Sequence, residues 1–154
     1  MRFVLFTDKT VSQCTSAINE RINAKGSKSR PELDGWIEKG GIFSVSVTSN
    51  VFRRFPRTTR LSAKAERDGK ITIIRGAVAG GIGPKGLRIL VVFLLIVSMA
   101  IMISGQPMLT LVVFIVGGLA LLPLHGDYIN SEILLIEVER ALKASPIPPK
   151  KANK

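Results

Sequence analysis

An α+β fold is predicted for this chain: a small antiparallel sheet with one N-terminal helix, then a two-helix transmembrane hairpin and a C-terminal amphipathic helix. Three features carry that expectation. The 154 residues hold no charged side chain from Ile89 to Leu124, whereas residues 1 to 88 hold 17 Lys/Arg against 7 Asp/Glu. Ahead of the uncharged block, apolar residues alternate with period two in short runs, as half-buried strands require. One stretch near the N-terminus and one after the block repeat apolar residues at helical spacing instead.

"MRFVLFTDK" opens with Arg2 like a signal peptide, but its apolar run of four is shorter than the roughly 7 to 15 residues of a signal core. Residues 2 to 6 therefore read as a strand. Val11, Cys14, Ile18 and Ile22 follow at spacings of three, four and four and predict a helix, with Thr10 and Gln13 as a capping box and Gly26 as its stop. Cys14 lies on the buried stripe and reads as a small core residue; as the single cysteine it forms no internal disulfide. Residues 25 to 35 form a polar connector, after which Trp36 and Ile37 resume the core.

"IFSVSVTS" sets Phe43, Val45 and Val47 on one face of a strand and Ser44, Ser46 and Thr48 on the other. Residues 58 to 66 alternate likewise, Thr59, Leu61, Ala63 and Ala65 opposing Arg60, Ser62, Lys64 and Glu66. "ERDGKITII" is a hairpin. A two-residue Asp68-Gly69 loop would oppose Glu66 to Ile71, so a three-residue loop, Arg67-Asp68-Gly69, pairing Ala65 with Ile71 and Ala63 with Ile73, is expected. A strand over 70 to 78 completes a three-stranded meander and a domain of residues 1 to 80. A domain this small buries only about 60% of its unfolded surface, so support from a neighbouring surface is expected.

Residues 81 to 88 read as a Gly-rich linker. "GIGPKG" matches G-x-G-x-x-G, but the helix that follows runs into the uncharged block and "IMISGQ" at 101 to 106 offers no acid for a ribose. No cofactor is expected there. Two helices, 89 to 104 and 108 to 124, flank the turn signal Gly105-Gln106-Pro107. Their 16 and 17 residues reach about 25 Å of a hydrocarbon core about 30 Å thick, so a full crossing is expected, with a re-entrant hairpin as the alternative. Gly117 and Gly118 are expected near Leu94 and Leu95, letting the arms pack closely around small residues that include Ser98. Neither arm carries an ionisable side chain, which argues for an anchor rather than a transport path. Lys85 and Arg88 flank the hairpin on the domain side, and the positive-inside bias then puts both termini and the domain in the cytoplasm, at the cell membrane.

After the hairpin an amphipathic helix is expected over 128 to 145. Ile133, Leu134, Leu135, Ile136, Val138, Ala141 and Leu142 form its apolar face, and Glu139 and Lys143 an i,i+4 pair. The Pro/Lys-rich residues 146 to 154 read as a disordered basic tail.

The residues with most chemistry are "VFRRFPRTTR", 51 to 60, where Arg53, Arg54, Arg57 and Arg60 interleave with Phe52 and Phe55 and no acid occurs. With a net charge of +11, gripping of nucleic-acid phosphates and stacking of bases has to be weighed. One aromatic pair and no nucleic-acid-binding motif argue against that partner. Lipid headgroups or an acidic protein surface are the expected counter-charges, for Lys85 and Arg88 as well, at about 1 kcal/mol per cation near an anionic leaflet. His125 and Asp127 lack the three or four convergent ligands of a metal site, no nucleophile elbow occurs, and the carboxylates are dispersed. Catalytic, metal and cofactor residues are therefore not expected. The expected function is that of a non-catalytic integral membrane protein, an accessory or scaffolding subunit that binds protein partners in the bilayer. Alternatives are an anionic-lipid-sensing regulatory module using residues 51 to 60, and an unrecognised membrane-bound enzyme.

The order of a helix, "GWIEKGGIFSVSV", "FRRFPRTTRLSAKAERDGKITIIRGAV" and a two-helix hairpin resembles small uncharacterised bacterial two-helix membrane proteins with a β-rich cytoplasmic domain. The resemblance covers residues 10 to 125 and implies architecture; it brings no activity and no site residues.

Overall fold

A computed structural model describes residues 1–27, 30–51 and 54–148. Five strands form one antiparallel sheet: β1 (Arg2–Thr7), β2 (Asp34–Glu38), β3 (Ile42–Val51), β4 (Phe55–Asp68) and β5 (Ile71–Val78), in the order β1-β5-β4-β3-β2. Three helices accompany them: α1 (Val11–Asn23), α2 (Pro84–Ile103) and α3 (Pro107–Leu142). One face of the sheet is covered by α1 and the C-terminal half of α3. Its core joins Leu5, Cys14, Ile18, Phe43, Val45, Leu61, Ile74, Leu134, Val138 and Leu142.

The α+β architecture matches the sequence expectation, and several local readings hold. Thr10 and Gln13 make the reciprocal capping box, Cys14 and Ile18 are buried, and β4 alternates as anticipated. Gly105 takes φ +81° at the turn between α2 and α3, with Pro107 as the first residue of the second helix.

Other readings are corrected. α1 ends at Asn23, where Ala24 turns extended, so Gly26 is not its stop. The connector is followed by a strand, β2, at the sheet edge; Trp36 pairs with Ser44 on the face away from the helices and is 45% exposed rather than in the core. Ser44 and Ser46 are buried too, their hydroxyls donating to the Leu61 and Asp34 carbonyls of the flanking strands.

The β4–β5 hairpin turns through Gly69-Lys70, not through Arg67-Asp68-Gly69. Asp68 pairs with Ile71, Ala65 with Ile74 and Ala63 with Gly76. Gly69 alone takes positive φ, +57°, the pattern of a II′ turn. Ile73 and Ile74 are both apolar, so the apolar pattern admits either face. Gly76 decides: a Cβ there would come within 2.7 Å of the Phe3 ring, the Ser62 carbonyl and the Ala63 side chain.

The expected linker 81 to 88 is mostly helix. Gly83 is the N-cap of α2 and Pro84 its first residue, because the glycines seat this corner directly on α3. A Cβ on Gly81 would collide with the backbone of Leu124 and Tyr128, and the Ile82 N–H donates to the Leu124 carbonyl at 3.0 Å.

The largest correction concerns the second arm. It and the amphipathic segment are one helix of 36 residues, about 54 Å long. Pro123 has no N–H for the Leu119 carbonyl, yet the helix continues through it. Gly126 is not a break; its missing Cβ admits Val51 and Arg57 against the helix. At the far end Lys143 is a left-handed cap, φ 50°, outside the helix. Among the described residues the ion pair of this segment is Glu137–Arg140 rather than Glu139–Lys143. Ser145 then pairs with Phe6 of β1, while residues 149 to 154 of the expected tail lie outside the described residues.

α2 and α3 are long and apolar enough to cross a membrane. At about 30 Å, α2 matches a hydrocarbon core. Its side chains and those of early α3 stand exposed, among them Ile96, Ile103, Met108 and Val116.

Candidate membrane-interface site

Alternation along β4 sends Arg57 and Thr59 inward, on the same side as Leu61 and Ala63. They meet a stripe of α3, Asp127, Asn130, Ser131 and Leu134, whose spacing of three, one and three is one helix face. Arg57 grips Asp127 with two parallel bonds, Nε to Oδ1 at 2.9 Å and Nη2 to Oδ2 at 2.6 Å. Thr59 Oγ1 donates to the same Oδ1 at 2.8 Å. Asn130 Nδ2 donates to the Arg57 carbonyl at 2.7 Å and lies 3.1 Å from Thr59 Oγ1. Asn130 Oδ1 has no partner among the described residues. The Arg57 hydrogen bond, helped by Thr59, holds the Asp127 carboxyl below the ordinary carboxylate range despite burial, and Asp127 in turn raises Arg57.

Beside this clamp the tip of the β3–β4 hairpin leaves a cleft of about 290 Å³ against α3. Val51, Phe55, Pro56 and Arg57 line one wall, and Leu119, Leu122 and Pro123 the other. The second wall belongs to the uncharged block, so the hairpin tip stands beside the last turns of the apolar helix. Phe55 is 49% exposed there.

The described members of the basic run singled out in the sequence do not form one patch. Arg54 is exposed at the tip, Arg57 faces inward, and Arg60 pairs with Ser46 on the opposite face of the sheet. Phe52 and Arg53 lie outside the described residues. Lys85 and Arg88 occupy the first turns of α2, beside Tyr128. In the helix pair a Cβ on Gly117 would come within 2.5 Å of Leu94, as expected, whereas Gly118 faces open space. Ser98 is buried, and its Oγ has no partner among the described residues. Among the described residues no three His, Cys, Asp or Glu side chains converge as metal ligands.

The sequence reading weighed Asp127 only as a metal ligand, and missed Asn130 and the Leu119–Pro123 wall. Their signal is the stripe from Asp127 to Leu134, visible once the helix is allowed to begin upstream of Gly126.

No protein-family model matches the chain, and no curated protein or solved structure does.

Proposed function

We propose that this protein is a membrane-anchored accessory or scaffolding subunit without catalytic activity of its own. In this reading α2 and α3 up to Leu124 form a hairpin across the cell membrane. Both termini and the α+β domain lie in the cytoplasm, and only the turn at Gly105–Pro107 reaches the far side. The observation that carries the proposal is the continuity of α3. One helix supplies the membrane arm and then Leu134, Val138 and Leu142 of the domain core, and the Arg57–Asp127 clamp sits at the junction. A domain fixed this way presents its surface to a partner in one pose, which suits assembly better than a tethered enzyme that must reach its substrate.

The test is purification of the full chain from its native membranes in mild detergent. A stoichiometric protein partner is expected, and recovery of the chain alone would overturn the reading. Orientation is tested separately with Cys14→Ser chains carrying Gln106→Cys or Lys70→Cys. An impermeant maleimide applied to intact cells should label the first and spare the second.

A further inference from the structure

The geometry points to a phospholipid site in the cleft between the β3–β4 hairpin and α3, an acyl chain lying on Phe55, Leu119 and Leu122 with its anionic phosphate at Arg54 and Arg57. The site rests on the reading that the helix pair lies in a bilayer. A volume of about 290 Å³ is at the small end for a ligand pocket and suits a length of chain rather than a whole lipid. Leu119 is exposed on the apolar stretch of α3, so a lipid reaches the cleft sideways without leaving hydrocarbon. A peptide at that depth would bring backbone N–H and C=O groups with nothing to satisfy them.

The rim supplies the matching charge. Arg57 spends Nε and Nη2 on Asp127, its Nη1 donors have no partner among the described residues, and its side chain is 42% exposed. Arg54 makes no ion pair among the described residues and is exposed at the tip. Because Asp127 already balances Arg57, the net positive charge of the rim among the described residues is that of Arg54. Arg88 adds to the surroundings: counting back along the antiparallel helices from the Leu94–Gly117 contact puts it level with Pro123. The preference for an anionic over a zwitterionic phospholipid then amounts to about one cation, roughly fivefold.

The test uses the full chain in vesicles with its only tryptophan removed by Trp36→Phe and a reporter added as Phe55→Trp. Quenching by brominated phosphatidylglycerol is compared with quenching by brominated phosphatidylcholine, and Met99→Trp, on the exposed surface of α2, serves as the reporter of bulk lipid. The Phe55→Trp reporter should be quenched by both lipids with about a fivefold preference for the anionic one, and Arg54→Gln should abolish that preference. The Met99→Trp reporter should have none. Equal quenching of the Phe55→Trp reporter by the two lipids, or no quenching, overturns the site while a quenched Met99→Trp reporter leaves the membrane reading intact. An unquenched Met99→Trp reporter overturns both. Native mass spectrometry of the unaltered chain gives an independent reading: phosphatidylglycerol should be retained in preference to phosphatidylcholine, and equal loss of the two again overturns the site.

Discussion

Arg57 and Asp127, 70 residues apart, hold the sheet to the long helix through two hydrogen bonds of 2.9 and 2.6 Å. Asp127 is nearly buried while Arg57 is partly open to solvent, so the two ends of the pair fail differently. Arg57→Gln strands a buried carboxylate and is expected to lower stability by about 1–3 kcal/mol, less than for a fully buried pair because Arg57 is partly hydrated. Asp127→Asn keeps the contacts with Thr59 and is expected to cost less. Thermal unfolding of the full chain in detergent checks the order, and equal losses would contradict it.

The same pair makes stability depend on pH. Asp127 has its carboxyl held down in the folded chain, first by Arg57 and then by Thr59. Its contribution is therefore fully present above the unfolded carboxylate value, about 3.9, and lost as pH falls through the lower folded value. Between about pH 5 and 3 the wild-type chain should lose more melting temperature than Asp127→Asn. Parallel melting curves for the two would show that the clamp does not titrate.

Three glycines in and beside the α2–α3 hairpin respond differently to alanine because only some face a neighbour. A methyl group on Gly81 meets the rigid backbone of α3, and one on Gly117 meets Leu94; losses of about 1–3 kcal/mol are expected, larger at Gly81 since backbone cannot step aside. Gly118 faces open space, and Gly118→Ala should be neutral or gain up to about 1 kcal/mol of helix propensity. Unfolding in detergent ranks the three, and a damaging Gly118→Ala would point to a contact outside this chain.

Cys14 is buried, and burial pushes its thiol up, against the pull of Lys9 and Arg67. A protonated, inaccessible thiol reacts only when the domain opens. Alkylation of the native chain by a maleimide at pH 7 is therefore expected to be slower than that of the denatured chain by a factor of roughly a hundred or more. Rapid labelling of the native chain would place the α1–sheet contact among the loosely held parts of the fold.

Much of the local structure was legible because its determinants lie within a few residues of each other: Thr10 with Gln13, the alternation of Thr59 to Ala65, the Gly105–Pro107 turn. The Leu94–Gly117 contact was legible because an antiparallel hairpin with a short turn fixes its own register. Longer-range geometry was not. The β4–β5 register depends on Gly76 fitting between Phe3 and Ala63, and neither the core face nor the turn alone reveals that crowding. The continuity of α3 was hidden because Pro123 and Gly126 both resemble breaks, while the packing that sustains the helix comes from a sheet far away in sequence. Arg57 looked like surface charge for the same reason: its partner lies 70 residues on.

Arg21 and Glu137 make the second long-range lock, α1 to α3, and its prediction separates pairing from packing. Arg21 Nε meets Glu137 Oε2 at 2.7 Å with side chains only 8% and 5% exposed, and Arg21 Nη2 also donates to the Pro31 carbonyl at 2.6 Å. Two buried charges satisfy each other, so removing one leaves the other desolvated and unpaired, at a cost of about 3–5 kcal/mol. Arg21→Met or Glu137→Leu alone should therefore be severe, and Arg140, which lies 3.3 Å from Glu137, only partly compensates the former. The double replacement removes both charges and puts apolar volume beside Ile18, Leu33 and Val138, which surround the same spot. It should recover most of the loss or exceed wild-type stability. Chemical denaturation of the four chains closes the cycle. Additive losses in the double variant would mean that the pair contributes through its separate contacts, such as the bond to Pro31, and not through mutual compensation.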